Sequence, residues 1–298
     1  MPKLLAHYTN GNYEVVLFDD GTKIRKNDLD NLTPSFAESN DITITTKCNG
    51  GCQYCYLGCN EQGEHADLNQ PFFDTLHPGQ EIALNANDLS HPDLESFLER
   101  MKKQGVVCNL TINQRHLKEH LQTLKDWQKR GLIFGIGISL INSKDELLWT
   151  NGLKNTVIHC IDGLMTKEDM ENLANHNLSI LMLGYKILGR GIEYYKANQQ
   201  TILGNIEYLQ DIISLYGANF RVIAFDNLAL EHLKLQSKIS KEQWEANYMG
   251  DEGSYTFFID AVNKKFAVSS LSTKPYDYTP DMTVDDMFQF IQKVRKEE

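Results

Sequence analysis

Segments typical of strands and segments typical of helices alternate in this sequence from residue 41 to residue 225. Apolar runs rich in β-branched residues are separated by longer amphipathic stretches that carry helix-capping and helix-ending residues. Crossovers of this kind join parallel strands of one sheet. The pattern therefore predicts an α/β protein built on a parallel sheet. The predicted strands are 41–46, 81–87, 106–113, 132–141, 156–161, 178–184 and 219–225, and helices are predicted from Pro92, Leu117 and Thr166 and around 201–216.

The length of the alternating region favours a partial barrel. A complete (β/α)8 barrel needs about 250 residues, so the predicted fold class is a partial (β/α)6 barrel of the TIM type, with six or seven units. The predicted domains are an N-terminal β-hairpin extension at 1–40, the barrel at 41–225, and a C-terminal extension at 226–298. The first carries its hairpin at 13–26. The last carries a hairpin at 255–270 and a final helix, and we expect it to cover the open side of the barrel, because exposed sheet edges are normally covered.

Several predicted strands alternate between apolar residues and small or polar residues. Buried parallel strands usually consist of continuous Val, Ile and Leu. The alternation admits two interpretations, a sheet with one half-solvated face or a lumen that holds something polar. The lumen is favoured, because both faces of a parallel sheet are normally covered. The polar or small positions are Thr43, Thr45, Asn109, Thr111, Asn113, Gly135, Gly137 and Ser139.

Four of the six cysteines lie in one short segment directly after the first strand of the alternating region. In a reducing compartment such a cluster indicates metal or redox chemistry rather than disulfides. Cys48, Cys52 and Cys55 form the spacing C-x3-C-x2-C, and two intervening glycines let the loop bend back on itself. Three thiolates on one loop can hold three irons of a cubane cluster and leave the fourth iron open to a ligand.

Other interpretations of the cysteines remain open. Cys59 could complete a structural zinc site or a four-thiolate iron–sulfur cluster. Structural zinc usually uses two C-x2-C units, however, and only one is present. A thioredoxin-like pair of Cys52 and Cys55 would leave Cys48 without a role. Cys108 and Cys160 are scattered and are interpreted as buried apolar residues.

The segment CNGGCQYCY at residues 48–56 resembles the cluster loop of the radical S-adenosylmethionine (radical SAM) enzymes. That family carries C-x3-C-x2-C after the first strand of a partial (β/α)6 barrel, with an aromatic residue before the third cysteine. Tyr54 occupies the aromatic position. The resemblance extends over about two thirds of the chain. The whole chain is also similar to uncharacterised radical SAM proteins of Firmicutes and their phages.

The resemblance implies a particular chemistry. A [4Fe–4S] cluster is bound by Cys48, Cys52 and Cys55, and its open iron chelates S-adenosylmethionine. An external electron donor, similar to flavodoxin or ferredoxin, reduces the cluster. Reductive cleavage of S-adenosylmethionine yields a 5′-deoxyadenosyl radical that abstracts hydrogen from a peptide or small-molecule substrate. Because the cofactor carries the hard chemistry, the protein positions and shields it, and no catalytic side chain is assigned.

A second family motif, Gly-Gly-Glu, binds the amino group of S-adenosylmethionine at the end of the second strand. It aligns here with Asn85-Ala86-Asn87, where neither Gly nor Glu is kept. A carbonyl and an Asn side chain can still accept hydrogen bonds from an ammonium group. Asn85 and Asn87 are therefore candidate cofactor contacts in a divergent branch of the family.

The remaining cofactor candidates follow from their position, because active-site groups of such barrels lie at the C-terminal ends of the strands. His159 is weighed against a simple role as a core histidine. Lys186 and Arg190 flank two glycines and are candidates for substrate binding or for a solvated basic loop. The cofactor candidates are Tyr54, Asn85, Asn87, Asn113, Ser139, Asn142, His159 and Tyr185.

Composition narrows the function classes. The chain has 298 residues and a formal net charge of −11, which argues against broad nucleic-acid binding. No apolar run approaches a membrane span, and the N-terminus is too polar for a signal peptide, so a cytoplasmic protein is expected. Two alternatives stay open. One is a nucleoside- or tRNA-modifying enzyme, which would need a basic groove. Residues 186–200 are a modest candidate for that groove. The other is a non-catalytic iron–sulfur or zinc protein, favoured by the absent Gly-Gly-Glu.

Overall fold

A computed structural model describes residues 2–29 and 31–297. Strands and helices alternate through its central part. In chain order the elements are β1 (Leu4–Asn10), β2 (Tyr13–Phe18), β3 (Lys23–Lys26), β4 (Ser39–Thr43), β5 (Glu81–Asn87), α1 (Leu94–Gln104), β6 (Val107–Asn113), α2 (Gln114–Lys129), β7 (Gly135–Ser139), α3 (Leu147–Thr150), β8 (Thr156–Ile161), α4 (Lys167–Leu173), β9 (Ser179–Leu183), α5 (Gly191–Ile212), β10 (Val222–Phe225), α6 (Asn227–His232), α7 (Lys241–Asn247), β11 (Thr256–Asp260), β12 (Lys265–Ala267), β13 (Tyr276–Asp277) and α8 (Val284–Glu297).

The central sheet has ten strands in the order β10-β9-β8-β7-β6-β5-β4-β11-β12-β13. Every pairing from β10 to β11 is parallel, and β12 and β13 continue antiparallel. From β4 to β10 each strand lies beside the one that precedes it in the chain, which is the arrangement that helical crossovers produce. The prediction of an α/β protein with a large, mostly parallel sheet is confirmed.

Local sequence signals set the ends of several helices. Thr166 and Asp169 form a capping box at the start of α4, in which the Thr166 hydroxyl accepts from the Asp169 amide and the carboxylate accepts from the Thr166 amide. Thr283 and Asp286 repeat this arrangement at α8. Gly105 adopts a left-handed φ of 83° and ends α1. These signals explain why these helix ends were predictable.

Some predicted boundaries were wrong, and one strand was missed. The helix expected around 201–216 begins at Gly191, because its first half has little apolar periodicity and its buried aliphatic residues start only at Ile202. The first strand of the alternating region, expected at 41–46, is Ser39–Thr43. It ends early because the Asn85 side chain, rather than a neighbouring strand, accepts the amide of Ile44. The strand β1 was not predicted, although it pairs with β2 beside the expected hairpin at 13–26.

The two faces of the parallel strands have different environments. In β5 the side chains of Ile82 and Leu84 are fully buried, whereas those of Asn85 and Asn87 on the other face are half-buried. The same alternation occurs in β6. The apolar face packs against helices in one continuous core. The polar face lies in contact with the loops that follow the strands, and it positions the candidate site.

The terminal segments attach to the strand β4. β1–β3 form a separate three-stranded sheet, and Arg25 of β3 binds the buried Glu38 through two hydrogen bonds of 2.7 and 3.1 Å. The C-terminal strand β11 pairs in parallel with β4 and covers its free edge. Within the described residues, no helix has both the length and the apolar character needed to cross a membrane.

Candidate functional site

A short ladder of backbone hydrogen bonds closes the cysteine loop (residues 47–60) where it begins and ends. Cys48 N donates to the Asn60 carbonyl at 2.9 Å, and Thr46 N donates to the Glu64 carbonyl at 2.9 Å. A Cβ on Gly63 would lie 2.2 Å from the Thr46 carbonyl oxygen, so the ladder requires glycine there. The ladder brings both ends of the loop to the C-terminal end of β4.

The three predicted ligands are free thiols, and each is half-buried. Cys48 Sγ accepts from the Gly50 amide at 3.3 Å, and Cys52 Sγ accepts from Nδ2 of Asn113 at 3.3 Å. Cys55 begins a turn in which its carbonyl accepts from Gly58 N at 3.1 Å. The loop thus supplies three accessible sulfur atoms with amide donors aimed at two of them.

Two asparagines at the end of β5 form hydrogen bonds to the segment that leads from β4 into the cysteine loop. Asn85 accepts from Ile44 N at 2.7 Å and donates to the Thr45 carbonyl at 2.8 Å. Asn87 donates to the Lys47 carbonyl at 3.1 Å and contacts Cys59 Sγ at 3.6 Å. Both predicted cofactor contacts therefore bind the protein's own loop. Their predicted role toward the amino group of S-adenosylmethionine stays a prediction.

Two arginines form hydrogen bonds to backbone carbonyls of the cysteine loop. Arg190 donates Nε to the Cys52 carbonyl at 2.9 Å and Nη1 to the Gly58 carbonyl at 3.0 Å. Arg115 donates Nη1 to the Gly50 carbonyl at 2.7 Å. A Cβ on Gly189 would lie 2.4 Å from the Tyr56 carbonyl oxygen, so the segment before α5 approaches the loop as closely as glycine allows. The charge of Arg190 adds to the hydrogen bond from Cys59 in lowering the pKa of Cys55, whereas burial raises the pKa of Cys48.

Cys59 lies against Cys55 and is buried, with 4% exposure. The hydrogen bond from the Cys59 thiol lowers the pKa of Cys55, and the same contact together with burial raises the pKa of Cys59. Cys55 is therefore the readily ionised member of the pair, which suits a metal ligand.

Three thiols on one loop are the donor set that a cubane iron–sulfur cluster uses. Among the described residues, no group of three or more His, Cys, Asp and Glu side chains lies close enough to hold one ion. The thiolates of a cubane bind different irons, so they need not converge on one point. The donor set of three half-buried thiols, hydrogen-bonded by amides, matches what such clusters use.

Three other candidates form a row across neighbouring strands. Asn113 of β6 is in register with Ser139 of β7, which is in register with His159 of β8. Burial lowers the pKa of His159 to about 4, so its imidazole is neutral at physiological pH. A Cβ on Gly137 would lie 2.3 Å from the His159 ring. The glycine at this position therefore makes the space for the imidazole.

The remaining cofactor candidates, Tyr54, Tyr185 and Asn142, lie outside the row of Asn113, Ser139 and His159. Tyr54 packs edge-on against Tyr194, with ring centroids 5.7 Å apart. Tyr185 is buried, and its hydroxyl donates to the Gly191 carbonyl at 2.9 Å, which braces the start of α5. Asn142 is exposed, and its side chain accepts from Lys144 N at 3.1 Å in a turn after β7. The structure therefore does not bring Tyr185 and Asn142 into the row of Asn113.

A cavity of about 240 Å³ lies between β4 and the segment that follows β10. Its lining includes the carboxylates of Asp41, Asp226 and Glu252. Burial, and after it the charge of Asp41, raises the pKa of Glu252 to about 7. Lys186 lies nearby, with Nζ 2.8 Å from Ser270 Oγ and 4.4 Å from the centroid of the Tyr56 ring. Lys186 therefore links Tyr56, the residue that follows Cys55, with Ser270 of the C-terminal extension.

Sequence reasoning missed several of these residues. Arg115 and His116 lie two and three residues after Asn113, so the rule that functional groups lie at strand ends could have included them. Asp226 likewise follows a predicted strand. Glu252 lies in a loop without any motif, and no local signal marks it.

No family model matches this chain, and no curated protein matches it.

Proposed function

We propose that this protein is a radical SAM enzyme whose [4Fe–4S] cluster is bound by Cys48, Cys52 and Cys55. The observation that carries the proposal is the loop itself. Three free thiols at C-x3-C-x2-C spacing follow the first strand of a sequential parallel run, on a loop that hydrogen bonds from β5, α2 and the segment before α5 hold in place. When bound, the cluster supplies the electron that cleaves S-adenosylmethionine to a 5′-deoxyadenosyl radical.

The fold supports a partial barrel around this site. Asp41 belongs to β4 and Asp226 directly follows β10, yet both line one cavity. The two ends of the seven-strand sequential run therefore approach each other, which requires a strongly curved sheet. The polar row of Asn113, Ser139 and His159 then faces the enclosed space, where we propose that it contacts S-adenosylmethionine. A neutral His159 accepts or donates one hydrogen bond without adding charge.

The chamber of Asp41, Asp226 and Glu252 is the proposed place of the substrate, a peptide or small molecule. Its net acidic lining and the overall charge of −11 disfavour a polyanionic RNA substrate. Met249, Glu252 and Tyr255 of the C-terminal extension line the chamber, so this extension helps to exclude water from it. An external flavodoxin- or ferredoxin-like donor completes the proposed reaction system.

Anaerobic reconstitution with iron and sulfide tests the proposal. Wild-type protein should turn brown, bind about four irons per chain as a [4Fe–4S] cluster requires, and release 5′-deoxyadenosine from S-adenosylmethionine under a strong reductant. Alanine at Cys48, Cys52 or Cys55 should abolish all three results. Cys108→Ala, which removes a buried thiol outside the loop, is the matched control and should behave as wild type. A wild-type protein that binds no iron contradicts the proposal.

The contact between Cys59 and Cys55 favours one alternative, a four-thiolate site in a non-catalytic iron–sulfur or zinc protein. The variant Cys59→Ala separates the two. An intact cluster and intact S-adenosylmethionine cleavage in this variant support three ligands. Loss of all bound metal, without unfolding, supports four.

A further inference from the structure

His116 is a buried histidine with an unsatisfied polar atom. The residue is 8% exposed, and Nε2 has no hydrogen-bond partner among the residues that the structure describes. A buried ring nitrogen without a partner is unfavourable, so folded proteins nearly always supply a partner or a ligand for it.

The Nε2 atom of His116 points to the cysteine loop at Gly50. A Cβ added to Gly50 would lie 3.8 Å from His116 Nε2, 3.8 Å from Asn113 Nδ2 and 3.2 Å from Cys48 Sγ. Two nitrogen donors and one predicted cluster ligand therefore surround the same side of Gly50. A side chain there would fill the space between them, and glycine keeps it open.

The start of α2 explains why these two donors occur together. Asn113 is the N-cap residue of α2, and His116 lies three residues later, so both side chains leave the first turn on the same side. Asn113 already donates Nδ2 to Cys52 Sγ at 3.3 Å. The Nε2 atom of His116 is the second nitrogen of the pair, and it has no acceptor among the described residues.

We propose that His116 Nε2–H donates a hydrogen bond to a sulfur atom of the cluster at the Cys48 corner, parallel to the bond from Asn113 to Cys52. This inference rests on the proposed function, because the acceptor belongs to the bound cluster. Hydrogen bonds to cluster sulfurs raise the reduction potential, since they stabilise the more negative reduced state. His116 is therefore a positioning and tuning residue that makes the cluster easier for an external donor to reduce.

The test compares reduction potentials of reconstituted proteins, measured by redox titration with EPR detection. At the wild-type midpoint potential, the ratio of reduced to oxidised cluster should fall roughly tenfold in His116→Leu, which is about 59 mV for a one-electron couple. His116→Gln keeps a nitrogen donor and should restore most of the difference. The matched control is His120→Leu, one turn further along α2, which should leave the potential unchanged.

A second measurement uses the wild-type protein and does not depend on the folding of a variant. Protein labelled with ¹⁵N-histidine should show a ¹⁵N coupling to the reduced cluster by pulsed EPR, and the coupling should persist in His120→Leu. An intact cluster with no coupling, or with an unchanged potential in His116→Leu, overturns this inference alone. A wild-type protein without a cluster overturns the proposed function and this inference with it.

Discussion

The side chain of Arg190 is the contact that most directly ties the cysteine loop to the rest of the protein. Its guanidinium makes two hydrogen bonds to loop carbonyls, at Cys52 and Gly58. Each hydrogen bond from a charged group contributes about 1.5–3 kcal/mol when buried. The side chain is half-buried, so we take about 2 kcal/mol for both bonds together after allowance for solvent screening.

Replacement of Arg190 should therefore open the loop without unfolding the protein. A loss of about 2 kcal/mol corresponds to a roughly 30-fold larger open population of the loop. Amide exchange by mass spectrometry on the metal-free protein should accelerate by that factor in peptides covering 47–60 for Arg190→Ala. Arg190→Lys keeps the charge but not the planar fork that reaches both carbonyls. Its exchange rate in this segment should therefore lie between those of the wild type and Arg190→Ala.

Arg221→Ala is the matched control, since Arg221 is an exposed arginine whose Nε donates to Ser179 Oγ at 3.0 Å on the far strands of the sheet. It should leave exchange in 47–60 unchanged. The reasoning is refuted if Arg190→Ala exchanges at the wild-type rate in this segment, or if the acceleration spreads evenly over the whole chain. Iron content after reconstitution should fall in parallel with the loop opening.

Three further predictions concern the polar interior. Asp162 is fully buried and accepts a hydrogen bond from His232 Nδ1 at 2.7 Å, which raises the pKa of His232. The resulting stabilisation is complete below the unfolded pKa of about 6.5 and disappears as the pH rises through the folded pKa. Urea titrations should therefore show that the wild type loses stability over this pH range and that His232→Gln does not. Gly137→Ala should displace the His159 ring, cost about 1–3 kcal/mol in thermal unfolding, and abolish calorimetric binding of S-adenosylmethionine to the reconstituted protein. Burial raises the pKa of Glu252 to about 7, so Glu252→Gln should stabilise the protein by roughly 1–2 kcal/mol in urea titrations at pH 8 and by almost nothing at pH 4.

The sequence was most informative where local patterning and tertiary structure agree. The seven sequential strands and the helices α1, α2 and α4 were predictable, because each combines an apolar period with a capping or ending residue. The start of α5 was not predictable, since its first half packs through half-buried tyrosines rather than an aliphatic stripe. The strand β4 ended early because one side chain, Asn85, replaced a strand partner.

Spacing along the chain determined the candidate ligands Cys48, Cys52 and Cys55, since three thiols on one short loop are close whatever the fold. Only the tertiary structure decided what surrounds them. Arg190 is far from the loop in sequence, and it reaches the loop because α5 begins where β9 ends, at the same edge of the sheet. Glu252 precedes β11, and the parallel pairing of β11 with β4 places it near Glu38 and Ser39 at the start of β4, which line the same chamber. Contacts of this kind depend on strand order, which no local pattern encodes.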